Sequence, residues 1–242
     1  MEWFLANSGM VLERAGQHMV LALVPMVLGL AISIPLAQLA RQHPLLRSVV
    51  LTASSLLYTI PSLALFIILP TVLGTRILDP LNVVVALTIY AVALLVRAAL
   101  DAFDSVDGDV SQAAVAMGYK PFARFLRVDL PLSLPVLFAG LRVVSVSNIS
   151  LVSVAALLGV GNLGMLFTSG LQRGFVTEIM VGIVAILVLA LLMDALLVLL
   201  ERVLTPWERA GKGRSPQPGG SAGEPVAAAR RLSAPKTGGG NP

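Results

Sequence analysis

The sequence contains no cysteine, which excludes a disulfide framework and any thiolate metal site. Charge is scarce. Asp, Glu, Lys and Arg make up 12% of the chain, where an ordinary soluble domain carries about 25%. Aromatic residues reach only 5%. No H-E-x-x-H metalloprotease pair and no G-x-x-x-x-G-K-[ST] nucleotide loop occurs. What is abundant is apolar side chain, at 57% of 242 residues with a mean hydropathy of +0.89. A soluble core of this size could not hide so much apolar surface, whereas lipid can. The chain is therefore read as an all-α integral membrane protein.

The basic excess is local. From Thr205 to Pro242 there are six Lys and Arg against two acids, which accounts for the whole net charge of +4. The high pI thus reflects a tail and not a nucleic-acid-binding surface. This tail is rich in Pro, Gly, Ala and Ser without apolar periodicity, the signature of a disordered segment. Spanning hydrocarbon takes about 20 mostly apolar residues, and five segments qualify, near 18–40, 49–73, 81–100, 132–157 and 178–201. The expected organisation is an interfacial or extracytoplasmic segment at 1–17, a transmembrane domain at 18–204 with a long loop at 101–131, and the tail at 205–242. Trp3 and Phe4 suit the headgroup zone.

Lys and Arg in short connections set orientation. Arg41, Arg47, Lys120, Arg124, Arg127 and the tail fall on one side, and Arg14, Arg76 and Arg173 on the other. The first side is expected to be cytoplasmic, which puts the N-terminus outside and the C-terminus inside. Within the second span, Thr52, Ser54, Ser55, Tyr58, Thr59 and Ser62 fall within an arc of roughly 160° at helical spacing. Such a stripe suits either a helix lining a wet path or a helix packed on polar neighbours. Pro61 and Pro70 should kink or break the span, a break that neighbouring elements must satisfy. The fourth span scatters Ser145, Ser147, Asn148, Ser150 and Ser153 around its circumference; Asn148 is a candidate for the path.

Several features invite other readings. Gly159-Val-Gly161-Asn-Leu-Gly164 fits G-x-G-x-x-G, but that pattern needs a strand before it; here it follows a membrane span and reads as a turn at the outer mouth. His18 and His43 fall on opposite sides of the membrane and cannot share a metal, and no metal site is expected. Arg97 and Asp101, four apart, read as a helical pair. Asp104, Asp107 and Asp109 read as loop solvation and helix capping. Arg142 and Asp194 lie inside spans, where ionisable groups are usually paired or functional; the readings are a structural bridge or a snorkelling Arg142.

The long loop carries the most specific motif. It runs Gln112-Ala113-Ala114, three residues, Gly118, nine residues, Val128, one residue, Leu130-Pro131. Physically this predicts two short helices around a glycine turn. Ala113, Ala114 and Ala116 offer a small-residue surface, Gly118 permits positive φ, and Phe122, Phe125 and Leu126 form an amphipathic patch. Pro131 suits the first turn of the next span, where its missing N–H costs nothing. This run resembles the cytoplasmic coupling motif of binding-protein-dependent ABC importer permeases, with Gln112 in place of the acid and Val128 in place of isoleucine. The stretches Tyr58-Thr-Ile-Pro-Ser-Leu-Ala-Leu and Leu158-Gly-Val-Gly-Asn-Leu-Gly164 resemble the osmoprotectant branch, which carries glycine betaine, choline, carnitine and related amines.

The resemblance, over about residues 18–201, implies a type I ABC importer permease fold like that of the methionine importers, in a bacterial plasma membrane. It implies ATPase subunits bound at Gln112, Ala113, Ala114, Gly118, Phe122, Leu130 and Pro131. It also implies a second permease, identical or different, and an extracytoplasmic substrate-binding protein. The chain would contact lipid and no nucleic acid. No enzymatic role and no bound cofactor is expected, since ATP and Mg would sit on the partner ATPase. The expected path residues are Thr52, Ser54, Ser55, Tyr58, Thr59, Ser62 and Asn148; the outer turn is Gly159, Gly161 and Gly164. A methionine or other amino-acid importer is the nearest alternative, and a stand-alone secondary transporter the next. Tyr58, Phe66, Tyr90 and Phe138 are the only aromatic residues in the five apolar segments. They are too sparse for a high-affinity ammonium cage, so selection is assigned to the binding protein.

Overall fold

The computed structural model describes residues 2–207. The residues up to Thr205 form one unit, and that unit is helical throughout. The tail beyond Trp207, expected to be disordered, lies outside the described residues. In chain order the helices are α1 Glu2–Ala6, α2 Ser8–Gln42, α3 Pro44–Thr59, α4 Ser62–Leu73, α5 Pro80–Asp104, α6 Gly108–Ala116 and α7 Pro121–Arg124. A π turn, Phe125–Asp129, leads into α8 Leu130–Val154, and α9 Met165–Arg173 and α10 Val176–Leu204 follow. α2, α5, α10 and the continuous run through α8 are each long and apolar enough to cross a membrane, and the α3–α4 pair makes a fifth, broken candidate.

α5 is the central helix. Over half of its apolar window, 56%, is buried, against 11% for α10, so α5 is walled by protein while α10 is largely uncovered by this chain. Small residues let the neighbours approach. A Cβ placed on Gly29 of α2 would stand 2.6 Å from the Cβ of Ala91, and one on Gly140 of α8 would collide with Ala98. Close approach through Gly and Ala is how helices gain dispersion contact where lipid supplies no hydrophobic drive. Two polar stitches tie α2 to α8. The fully buried His18 places Nε2 2.9 Å from the Ile149 carbonyl, and the Asn148 amide donates to Ala22 O at 3.2 Å.

The second span breaks at Pro61, one of the two expected outcomes, and α3 and α4 meet at 101°; Pro70 lies inside α4 and does not interrupt it. The residue before a proline is driven out of the α region, and both Ile60 (ψ 129°) and Pro61 (ψ 130°) are extended. Two successive extended residues turn the chain. The Tyr90 hydroxyl donates to the Ile60 carbonyl at 2.6 Å, satisfying a group that the break releases. The Tyr58 ring stands edge-on to Tyr90 at 5.8 Å.

The first helix is also longer than expected. α2 has 35 residues, about 52 Å at 1.5 Å per residue, well over the ~30 Å hydrocarbon layer. Trp3 packs on Phe175 at 5.8 Å, which ties α1 to the start of α10.

Candidate functional site

The segment from Gln112 to Pro131 has the expected local form, two short helices around a glycine turn. Asp107 caps α6, its carboxylate accepting from the Asp109 N–H at 2.8 Å. α6 ends in a turn in which Gly118 N–H donates to Val115 O and Tyr119 N–H to Ala114 O. Gly118 has φ +84°, a conformation that costs an L side chain about 1–2 kcal/mol. Space is open around its Cβ position, so backbone strain and not collision selects glycine. Pro121 then opens α7, and Leu130 and Pro131, half-buried, start α8.

The patch that faces outward differs in part from the one read from spacing. Ala114 is 1% exposed and Phe125 is buried edge-on against Phe103 at 5.3 Å. Phe125 anchors the segment to the bundle, while Ala114 is covered within it. Gln112, Ala113, Ala116 and Gly118 are open. So are Val115, Met117 (70%), Phe122 (74%) and Leu126. Val115 and Met117 add apolar surface that the motif did not reveal, because neither belongs to its fixed positions. Exposed apolar surface gathered around one turn is of the kind found at protein or membrane contacts.

Behind it lies an acid that sequence reasoning passed over. Asp129 is fully buried; Ser111 Oγ donates to its Oδ1 at 3.1 Å, and Arg124 and Arg41 approach Oδ2 at 3.4 and 3.7 Å. Arg41 also reaches Asp104, which binds Arg47 at 2.6 Å. Asp104 is thus bound to the α2–α3 corner and is not merely solvated. The available signal was one acid set directly before Leu130-Pro131 in an otherwise basic stretch. The Arg97–Asp101 pair does not form: both are exposed, and no ion pair joins them among the described residues.

The candidate path residues are placed unevenly. On α3, Thr52, Ser55, Tyr58 and Thr59 are exposed, whereas Ser54 is buried. Ser55 and Thr59 turn their hydroxyls back onto the carbonyls of Leu51 and Leu56 at 3.0 and 2.7 Å. Ser62 falls beyond the break on α4 and does not continue the stripe. Asn148 faces inward to α2 and lines no open surface of this chain. The bridge between spans is present: Arg142 donates from Nε and Nη2 to both carboxylate oxygens of Asp194 at 2.6 and 2.8 Å.

At the opposite end, Gly159 (φ +83°), Gly161 and Gly164 form a turn after a short 3₁₀ segment, not after a strand. The buried Asn162 braces it, donating to Val160 O and accepting from Gly164 N–H at 2.9 and 2.7 Å. Gly161 leaves room for Arg14 and Gln17 of α2. Glu178, also passed over, is buried and binds Ser169 and Arg173, pinning α9 to α10. No group of His, Asp and Glu suited to a metal occurs among the described residues.

Comparison with known proteins fits this geometry. Residues 29–209 match the family described as binding-protein-dependent transport system inner membrane component. The chain is 34% identical over 207 residues to the osmoprotectant import permease protein OsmW of Salmonella typhimurium, covering 84% of this chain and 96% of that one. It is 29% identical to the carnitine transport permease OpuCB of Listeria monocytogenes, over 84% and 92% of the two chains. With the choline transport system permease OpuBB of Bacillus subtilis it shares 26%, over 85% and 93%. Two inward-facing structures of the MetNI methionine ABC transporter align with TM-scores of 0.71 and 0.72 at 19% and 21% identity, covering 83% of this chain and 98% of the matched one. At that identity the likeness is one of fold.

Proposed function

This chain belongs to the family of binding-protein-dependent inner membrane transport components, and on that premise we propose that it forms the translocation path of an ATP-driven importer of quaternary-amine osmoprotectants. It is a multi-pass inner-membrane permease of the type I ABC importer fold. The observation that carries the mechanism is the coupling segment. A fixed turn at Gly118 presents Val115, Met117 and Phe122 to solvent on a base anchored by Phe125 and Asp129. A chain without a nucleotide loop must receive work through a protein contact, and this surface supplies one. ATP and Mg belong to the partner ATPase, and that partner lies in the cytoplasm.

The coupling segment therefore marks the cytoplasmic end of the bundle, with the N-terminus outside and the C-terminus inside, as the Lys and Arg distribution requires. The turn at Gly159–Gly164 then faces the outer side, where a substrate-binding protein delivers its cargo. α3 keeps only Val50 and Ser54 buried, and its exposed Thr52, Ser55, Tyr58 and Thr59 supply the path wall once a second permease closes the other side. Glycine betaine, choline and carnitine are the substrate class, after the relatives that carry those names.

The test is reconstitution of the permease with its ATPase and binding protein in proteoliposomes. Uptake of labelled glycine betaine or choline is expected only with ATP inside the ATPase-bearing compartment and with the binding protein on the opposite face. Uptake of methionine in their place would overturn the substrate assignment. Uptake without ATP would overturn the importer reading.

A further inference from the structure

Among the described residues, Asp129 is the only side chain that joins the coupling segment to the membrane bundle by charge from a position with no solvent exposure. Its Oδ1 takes the Ser111 hydroxyl of α6; its Oδ2 faces Arg124 of α7 and Arg41 at the end of α2. Arg41 in turn shares Asp104, at the end of α5, with Arg47 of α3. One carboxylate thus reaches both short helices of the segment and α2 directly, α5 through Arg41, and α3 through Asp104 beyond it.

Four residues earlier in the same π turn, Phe125 enters the apolar cluster of Ala37, Ala40, Val96, Ala99 and Phe103. The π turn buries its first and last residues, Phe125 and Asp129, and no other. Such turns, which insert one residue into a helix, recur at functional positions.

We propose that Asp129 is the positioning residue through which displacement of the α6–α7 segment is transmitted to α2, α3 and α5. This rests on the reading of that segment as the ATPase contact. The apolar anchor at Phe125 resists separation, but its contacts are non-directional. The carboxylate opposes sliding, because it is buried and its counter-charges come from different elements. Its contacts to Arg124 and Arg41, at 3.4 and 3.7 Å, are ion-pair rather than hydrogen-bond distances. At these separations the attraction is coulombic rather than directed, so it draws both arginines, and the elements that carry them, toward one buried point. Removing the charge would leave the outer surface of the segment intact while loosening its grip on the bundle.

The test separates hydrolysis from transport in the reconstituted importer. Asp129→Asn keeps the size of the side chain and an acceptor for Ser111. Arg124→Gln removes the same contact from a partly exposed side and is the milder variant should Asp129→Asn insert poorly. Each is expected to retain the ATPase and to hydrolyse ATP near the parent rate. Uptake per ATP is expected to fall about tenfold, a usual size for coupling between sites. The double variant should lose no more than the larger single loss, since both remove one interaction.

Parallel loss of hydrolysis and uptake would overturn the proposal, as would unchanged uptake per ATP or additive losses. Phe122→Asp run alongside tests the underlying reading. If that variant retains the ATPase normally, the coupling contact itself is wrong. If it releases the ATPase while Asp129→Asn transports normally, only the role of Asp129 is wrong.

Discussion

Replacing Phe122 by aspartate probes the ATPase contact at its most exposed point. A phenylalanine buries about 150–250 Å² when fully covered. With Phe122 74% exposed, roughly 110–185 Å² remains for a partner to cover. At about 25 cal/mol per Å² that is up to ~3–4.5 kcal/mol. Association carries other costs, so the measured change should lie near the lower value, about a hundredfold in affinity. The chain itself should hardly respond, because surface substitutions stay within about 0.5 kcal/mol.

Ala114→Asp is the informative contrast. At 1% exposure its carboxylate would lose water without gaining a partner, costing several kcal/mol within the segment and not at the interface. The assay is titration of labelled ATPase onto purified permease, with thermal unfolding of the permease alone. Phe122→Asp should weaken binding and leave the melting temperature unchanged; Ala114→Asp should lower both. An affinity for Phe122→Asp within a few-fold of the parent would refute the argument.

Cysteines introduced at Asn7 and Gln172 should react with an impermeant thiol reagent on intact cells, and one at Gln112 should not. Gln112 is the better inner probe because Ser111 is tied to Asp129; labelling at Gln112 would reverse the orientation. Gly29→Val and Gly140→Val should each destabilise the purified permease by about 1–3 kcal/mol through overpacking against α5. Gly16→Ala, with nothing within 4 Å of its Cβ position, should lower thermal stability little or not at all. Reversing either Arg142 or Asp194 alone should reduce the amount of inserted permease, and exchanging the two should restore it. Failure of the exchange would show that the bridge does not hold α8 to α10.

The apolar runs, the proline at the break of the second span and the spacing from Gln112 to Pro131 determine this protein at the level of the sequence. Each is a local rule: span length against bilayer thickness, the steric limit before proline, positive φ at a glycine turn. Those rules placed the helices, the turn at Gly118 and the site of the break at Ile60–Pro61. They also allowed the Arg142–Asp194 bridge, as one of two readings, because few charges share that depth.

What they could not reach was facing. Ala113 and Ala114 are equivalent by composition, and only docking of α6 turns one outward and buries the other. The stripe from Thr52 to Ser62 assumed one helix axis, and a bend of 101° removed Ser62 from it. Asn148 looked available to a path until α2 was laid against it. Asp129 and Glu178 gave no periodic signal, because their partners come from other helices. Pairing of that kind depends on distances between elements far apart in sequence, which only the packed bundle decides.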